Sequence, residues 1–274
     1  MLAQEEKKFL EEKARILRKN VIEMTYKVQS GHPGGSFSLA EIMSVLYFHD
    51  LNYDVKNPKN LERDRVILSK GHAAPIWYST LAEAGFFPKD ELWNLRKINS
   101  LLQGHPCIHI PGVDATTGSL GLGLSSGCGM AIAAKMTKRY KVRVYVILGD
   151  GELGEGQIWE AAMSAAHFNL DNLTAIIDRN KYQNDGATES IMQLEPLHDK
   201  WESFGWNTIN IDGHNINQIV SAFELAREVK GKPTMIIADT VKGKGASYML
   251  DKPGFHYTAP TKEQYELTLK ELGY

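Results

Sequence analysis

Residues 142–180 read VRVYVILGDGELGEGQIWEAAMSAAHFNLDNLTAIIDRN. Val142–Leu148 is almost continuously apolar and rich in β-branched residues, the composition of a strand buried on both faces. It ends in Gly149-Asp150-Gly151, a helix is expected from about Gln157 to Phe168, and Leu173–Ile177 forms a second apolar strand that ends in Asp178-Arg179-Asn180. A strand–helix–strand crossover of this kind joins adjacent parallel strands with a right-handed turn. The pattern continues with Trp206–Ile211, a helix near Ile216–Val229, and Thr234–Ala238. Upstream, Arg65–Ser69 reads as a short strand running into Lys70-Gly71-His72, followed by a helix through Leu81. The expectation is an α/β fold, a mostly parallel sheet with helices on both faces, occupying residues 1–274 as one domain.

Outside these units the pattern is helical or irregular. Leu10, Ala14, Leu17, Val21, Met24 and Val28 alternate steps of four and three, an apolar stripe on a helix that ends near Gly31. Ser38 with Glu41 three residues on suggests a capping box opening a helix to about Phe48. Segment 99–119 has no period and is rich in Gly, Pro, Thr and Ser, so it reads as loop. A small-residue helix follows from Leu120 to about Thr137, and Tyr265–Leu272 is a final amphipathic segment.

Composition narrows the function classes. Lys+Arg 31 against Asp+Glu 33 leave a formal charge of -2, so no bulk positive field exists to hold nucleic acid or an anionic membrane. Two cysteines, Cys107 and Cys128, are too few for a disulfide framework and lack zinc-site spacing. The first residues, MLAQEEKKFLEEKARIL, interleave charges where a signal peptide needs an apolar run, so a cytoplasmic location is expected.

Ligands of open parallel sheets bind beyond the carboxyl ends of the strands, where Asp150 and Asn180 are expected side by side. A carboxylate and an amide oxygen are hard ligands suited to Mg2+, which completes its octahedron with phosphate oxygens and water. Gly149 and Gly151 would let the backbone approach a bulky anion. His32, His72 and His105 each follow a glycine, and turns there could project imidazoles into a cleft for proton transfer. Gly118-Ser119-Leu120-Gly121 opens a helix whose N-terminal N–H groups form an anion site. The glycines at 121–127 also match a dinucleotide fingerprint, but Pro111–Ser119 is not the strand that motif requires; close helix packing explains Gly127 and Gly129 instead. Lys242 and Lys244 could neutralise a diphosphate or steer a sugar phosphate.

GDGELGEG at 149–156 followed by DRNKYQNDG at 178–186 resembles the thiamine-diphosphate binding motif. The segments SGHPGG (30–35), SKGHAAP (69–75), QGHP (103–106), TTGSLGLGL (116–124), GDGELGEGQIWEA (149–161) and KGKGAS (242–247) narrow the resemblance to the N-terminal, diphosphate-binding domain of transketolase. They cover nearly the whole chain in the family's order. The resemblance implies Asp150, Asn180 and the carbonyl of Tyr182 as ligands of Mg2+, for which Ca2+ or Mn2+ can substitute. It places Gly118 and Leu120 against the diphosphate and thiazolium ring, and the GDG turn on the diphosphate. His32, His72, His105 and His256, the last in KPGFH, match the family's active-site histidines. Here Phe255-His256-Tyr257 replaces the family's usual small-residue surroundings. Glu155 matches the family glutamate at the subunit interface.

The implied activity is transfer of a two-carbon ketol group from a ketose phosphate to an aldose phosphate, the chemistry of the pentose phosphate pathway. In the family a glutamate of a second domain activates the cofactor, and neither that pyrimidine-binding domain nor the C-terminal domain is recognisable before Tyr274. The expectation is therefore the N-terminal subunit of a split transketolase, forming a two-plus-two heterotetramer with a separately encoded C-terminal subunit. Two alternatives are a condensation like that of 1-deoxyxylulose-5-phosphate synthase and a non-catalytic, cofactor-binding regulatory subunit.

Overall fold

The computed structural model describes residues 2–274. In chain order the elements are α1 (Gln4–Val28), α2 (Pro33–Phe37), α3 (Ala40–Val45), β1 (Arg65–Leu68), α4 (Ala74–Ala84), α5 (Leu122–Met136), β2 (Val144–Gly149) and α6 (Gly156–His167). They continue with β3 (Leu173–Arg179), α7 (Thr188–Ile191), α8 (Leu197–Ser203), β4 (Asn207–Asp212), α9 (Ile216–Glu228), β5 (Thr234–Asp239) and α10 (Lys262–Glu271). The strands form one parallel sheet in the order β1-β2-β3-β5-β4.

Alternation along β2 explains why its sequence is apolar throughout. Tyr145 and Ile147 join a core with Leu17 of α1, Met43 of α3, Trp77 of α4 and Phe223 of α9. Val144, Val146 and Leu148 join a second core with Leu124 of α5, Ile158 of α6 and Trp201 of α8. With helices on both faces, every residue of β2 and β3 is buried, whereas the edge strand β4 is only partly so. Gly127 is required by this layering, because a Cβ there would lie 2.4 Å from Cγ2 of Val146 on β2. Gly129 differs from expectation: it faces open space on α5 and has no packing role.

The capping box at Ser38 does not form. The helix breaks instead into α2 and α3 with Ser38 between them, and the Ser38 hydroxyl donates to Asp178 Oδ2 at 2.6 Å. Glu41 turns away to take a bidentate grip from Arg18 (both contacts 2.6 Å) and a contact from His214 Nδ1 (2.9 Å). Partners distant in sequence displace the local cap. The loop at 99–119 is irregular, as its composition predicts, and no strand precedes the glycines at 121–127.

Candidate active site

Four strand ends converge on one cleft. It measures about 280 Å³ and is lined by Lys70 and His72 beyond β1, the 149–152 turn beyond β2, Asn180 and Tyr182 beyond β3, and Lys242 beyond β5, with Gly35, Leu120, Glu155 and His256. A larger, more open hollow of about 780 Å³ lies over the 91–109 loop, shares none of these residues, and gathers no comparable set of charges.

The corner between β2 and β3 follows from register. Gly149 pairs with Asp178, so Asp150 and Asn180 emerge from neighbouring strands onto the cleft. Asp150 is buried; its Oδ1 accepts the Gly151 N–H (2.8 Å), and its Oδ2 accepts the Lys181 N–H (2.5 Å) and Arg179 Nη1 (3.2 Å). Lys181 reaches that oxygen because the chain turns through the left-handed region there (φ +69°). Burial first, and then the charge of Asp178, push the Asp150 carboxyl up to about 6 against the pull of these donors. Asn180 Oδ1 accepts the Tyr182 N–H at 3.1 Å.

Asp178, one residue inside the end of β3, is saturated. It pairs with Lys70 Nζ and accepts from Ser38, Thr240 and Asn180 Nδ2 (3.0 Å), and these partners outweigh burial to hold its carboxyl below the ordinary range. Lys70 also donates to the Gly35 carbonyl at 2.9 Å. Glu152 is a second staple: it accepts from the Ser69 hydroxyl and from the N–H groups of Gly121 (2.8 Å) and Gly149 (3.0 Å). The helix N-terminus predicted to be an anion site thus already donates one N–H to an internal carboxylate. The glycines of the GDG turn make room for side chains: a Cβ on Gly151 would sit 2.8 Å from Cβ of Gln183, and one on Gly149 would sit 3.4 Å from Lys70.

The histidines assemble as expected. Ring centroids of His32, His72 and His256 form a triangle with sides of 5.2, 5.5 and 5.0 Å, so the unusual surroundings of His256 do not displace it. His105 packs beneath Gly118, whose Cβ position is 3.3 Å from the ring. Burial, reinforced by the charges of Arg96, Lys70 and Lys242, pulls His32 down to about 4, His72 to about 2 and His256 to about 3, and lowers His105. These imidazoles are neutral at pH 7, each with one donor and one acceptor nitrogen. Lys242 Nζ lies 3.1 Å from His256 Nδ1, which leaves Nε2 to carry the proton of that ring. The His32 Nδ1 is buried with no hydrogen-bond partner among the described residues.

Lys242 carries the electrostatic signature of an anion site. It is buried, has no carboxylate partner among the described residues, and is pushed down to about 8 by burial and by Lys70. Its ammonium lies 3.4 Å from the Tyr182 carbonyl oxygen, so one cation already seeks that oxygen. No group of three or more His, Cys, Asp or Glu side chains is arranged for a metal among the described residues. A cation at this corner would therefore draw on one carboxylate with amide and carbonyl oxygens, a set suited to Mg2+. Lys244, Glu155 and Glu160 are exposed. Sequence reasoning missed Lys70, Glu152, Asp178 and Arg179; the signal for Asp178 was its place two residues before Asn180 on the same strand end.

The family model described as transketolase, thiamine diphosphate binding domain, matches residues 8–274. The 6-deoxy-6-sulfo-D-fructose transketolase subunit SqwG of Clostridium sp. (strain MSTE9) is 46% identical over 264 residues, 96% of each chain. An apulose-4-phosphate transketolase subunit of Phocaeicola vulgatus is 43% identical over 255 residues, 93% of this chain and 90% of that one. The transketolase of Mus musculus is 44% identical over 96% of this chain, which spans only 42% of it. The crystal structure of transketolase from Campylobacter jejuni superimposes with a TM-score of 0.93 at 34% identity, covering 100% of this chain and 43% of the other.

Proposed function

This chain belongs to the transketolase, thiamine diphosphate binding domain family, and from that premise we propose that it is the diphosphate-binding subunit of a split transketolase that transfers a two-carbon ketol unit between sugars. The observation that carries the reading is the strand-end cleft, which is lined together by Asp150, Asn180, Tyr182, Lys242, His72 and His256, with His32 packed against both histidines. Thiamine diphosphate would supply the carbanion chemistry that no amino-acid side chain provides. Asp150, Asn180 and the Tyr182 carbonyl would hold Mg2+ on the diphosphate, with Lys242 supplying a second positive charge. Leu120 and Gly118 would support the thiazolium end. His32, His72, His105 and His256 would bind sugar hydroxyls and pass protons, their neutrality at pH 7 letting each ring do either.

Two relatives of nearly the same length carry the word subunit in their names, which supports a separately encoded partner; the two-plus-two assembly is part of the proposal. Glu155 and Glu160 are exposed at the start of α6, available to such a partner. Two unpaired cysteines suit a reducing, cytoplasmic setting. The test is reconstitution with a separately encoded C-terminal-type transketolase chain, Mg2+ and thiamine diphosphate, against a panel of phosphorylated, sulfonated and branched ketoses with aldose acceptors. Ketol transfer by the pair and not by either chain alone is expected. Turnover by this chain alone, or consumption of pyruvate by the pair, would overturn the reading.

A further inference from the structure

Arg179 is a buried guanidinium one residue before Asn180, and nothing in the proposed chemistry uses it. All of its N–H groups are engaged. Nη1 donates to Asp150 (3.2 Å) and Thr188 (2.7 Å), Nη2 to Glu189 (2.7 Å) and Glu195 (3.2 Å), and Nε to Glu195 (3.4 Å). One positive charge thus stands among three carboxylates, one of them at the cation corner and two on the 187–195 segment that follows. The two distal carboxylates are half exposed, at 40% and 57%, whereas Asp150 is buried.

Lone-pair counting at Asp150 shows what this fork does. A carboxylate offers about four acceptor sites. Gly151 N–H, Lys181 N–H and Arg179 fill three from the protein side, which leaves one open on the cleft. The 187–195 segment hangs from the other prong. Thr188 also ties back to the Lys181 carbonyl through its N–H (2.9 Å), and Glu189 accepts the Leu194 N–H (3.3 Å). Tyr182, whose carbonyl faces the same corner, bridges to Ala187 at the start of the segment.

Building on the cation site proposed above, we propose that Arg179 is a positioning residue that couples divalent-cation binding to the ordering of residues 187–195. It aims the free lone pair of Asp150 and, with the same planar group, anchors the 187–195 segment, whose first residue, Ala187, bridges to Tyr182 beside the cation corner. Lysine, a point charge without the fork, cannot hold both arms.

The experiment compares the full chain with R179K, R179M and the double variant T188V/E189Q, which removes two of the three distal partners, buried Thr188 and partly exposed Glu189, and leaves Arg179 on Asp150 and Glu195. Amide hydrogen exchange of peptides spanning 186–196 is read with and without Mg2+ and thiamine diphosphate, and Mg2+ affinity is read by calorimetry in the presence of thiamine diphosphate. The wild type is expected to gain protection in this segment on Mg2+ addition. T188V/E189Q should exchange about tenfold faster there, with exchange in β2 and β3 unchanged, and should bind Mg2+ several-fold more weakly; R179K should fall between it and R179M. Unchanged exchange in the double variant, or faster exchange with unaltered Mg2+ affinity, overturns the proposal. Failure of the wild type to take up Mg2+ even with its partner overturns the cation reading instead, and is seen in a separate arm.

Discussion

Two buried aspartates stand at the same edge of the sheet, Asp178 inside the end of β3 and Asp150 just beyond β2, and they have opposite electrostatics. Asp178 has an ammonium and three further donors, and its proton affinity is held down. Asp150 is equally buried but has to share Arg179 with two glutamates, and its proton affinity is pushed up to about 6. A carboxylate compensated within the protein is a fastener; one left short of positive charge is a place for a cation to bind. The pair explains how a strand-end corner can be rigid and still keep an under-compensated charge.

The largest expected effect comes from breaking the fastener. Asp178→Asn leaves the Lys70 ammonium buried without a counter-charge and should cost about 3–5 kcal/mol of unfolding free energy in a denaturant titration, with partial recovery in the Asp178→Asn/Lys70→Met double variant. A loss below about 1 kcal/mol would mean that the two aspartates are not different in kind.

Asp150→Asn is the complementary test. Stability should change by no more than about 1 kcal/mol, since the lost Arg179 contact is offset by removing an under-compensated charge. Mg2+-dependent uptake of thiamine diphosphate, followed by calorimetry, should fall at least about 100-fold. Unaltered uptake would sink the contrast from the other side.

The third test concerns the histidine triangle beside this corner. His32, His72 and His256 have folded pKa values of about 4, 2 and 3, below the free value of 6.5. The unfolded chain therefore takes up protons that the folded chain refuses, and stability present above pH 6.5 is lost as pH falls from 6.5 toward 4. Each group contributes a slope of at most about 1.4 kcal/mol per pH unit, less where the ring meets solvent. Asp150 works in the opposite sense in this window, because its raised pKa favours the folded state as pH falls. The measurement is therefore made on cofactor-free Asp150→Asn protein, by denaturant unfolding at several pH values. A profile flat between pH 7 and 5 would contradict the neutral triangle, and His72→Asn should shallow the slope.

Much of this molecule could be read before folding it. The strand–helix–strand unit at 142–180 predicted the parallel pair, its ends predicted Asp150 and Asn180 as neighbours, and of the glycine-led histidines His72 lines the cleft with His32 packed beside it. Those readings succeed because periodicity and strand-end turns are local, and because a parallel sheet brings strand ends together wherever it forms. Ser38 shows the limit: its spacing to Glu41 is that of a cap, yet the hydroxyl goes to Asp178, 140 residues away. Gln183 explains the glycine of the turn better than an approaching anion does.

Sequence alone therefore determined the layers of the fold, the adjacent strand ends that bring Asp150 and Asn180 to one corner, and the family. Tertiary structure decided which buried charges are satisfied and which are not: that Lys70 belongs to Asp178, that Lys242 has no carboxylate among the described residues, and that Arg179 spans Asp150 and the 187–195 segment. The reason is physical. A residue's tendency to enter a strand is set by its neighbours in the chain, but the compensation of a buried charge is set by whatever groups the completed fold brings within hydrogen-bond reach.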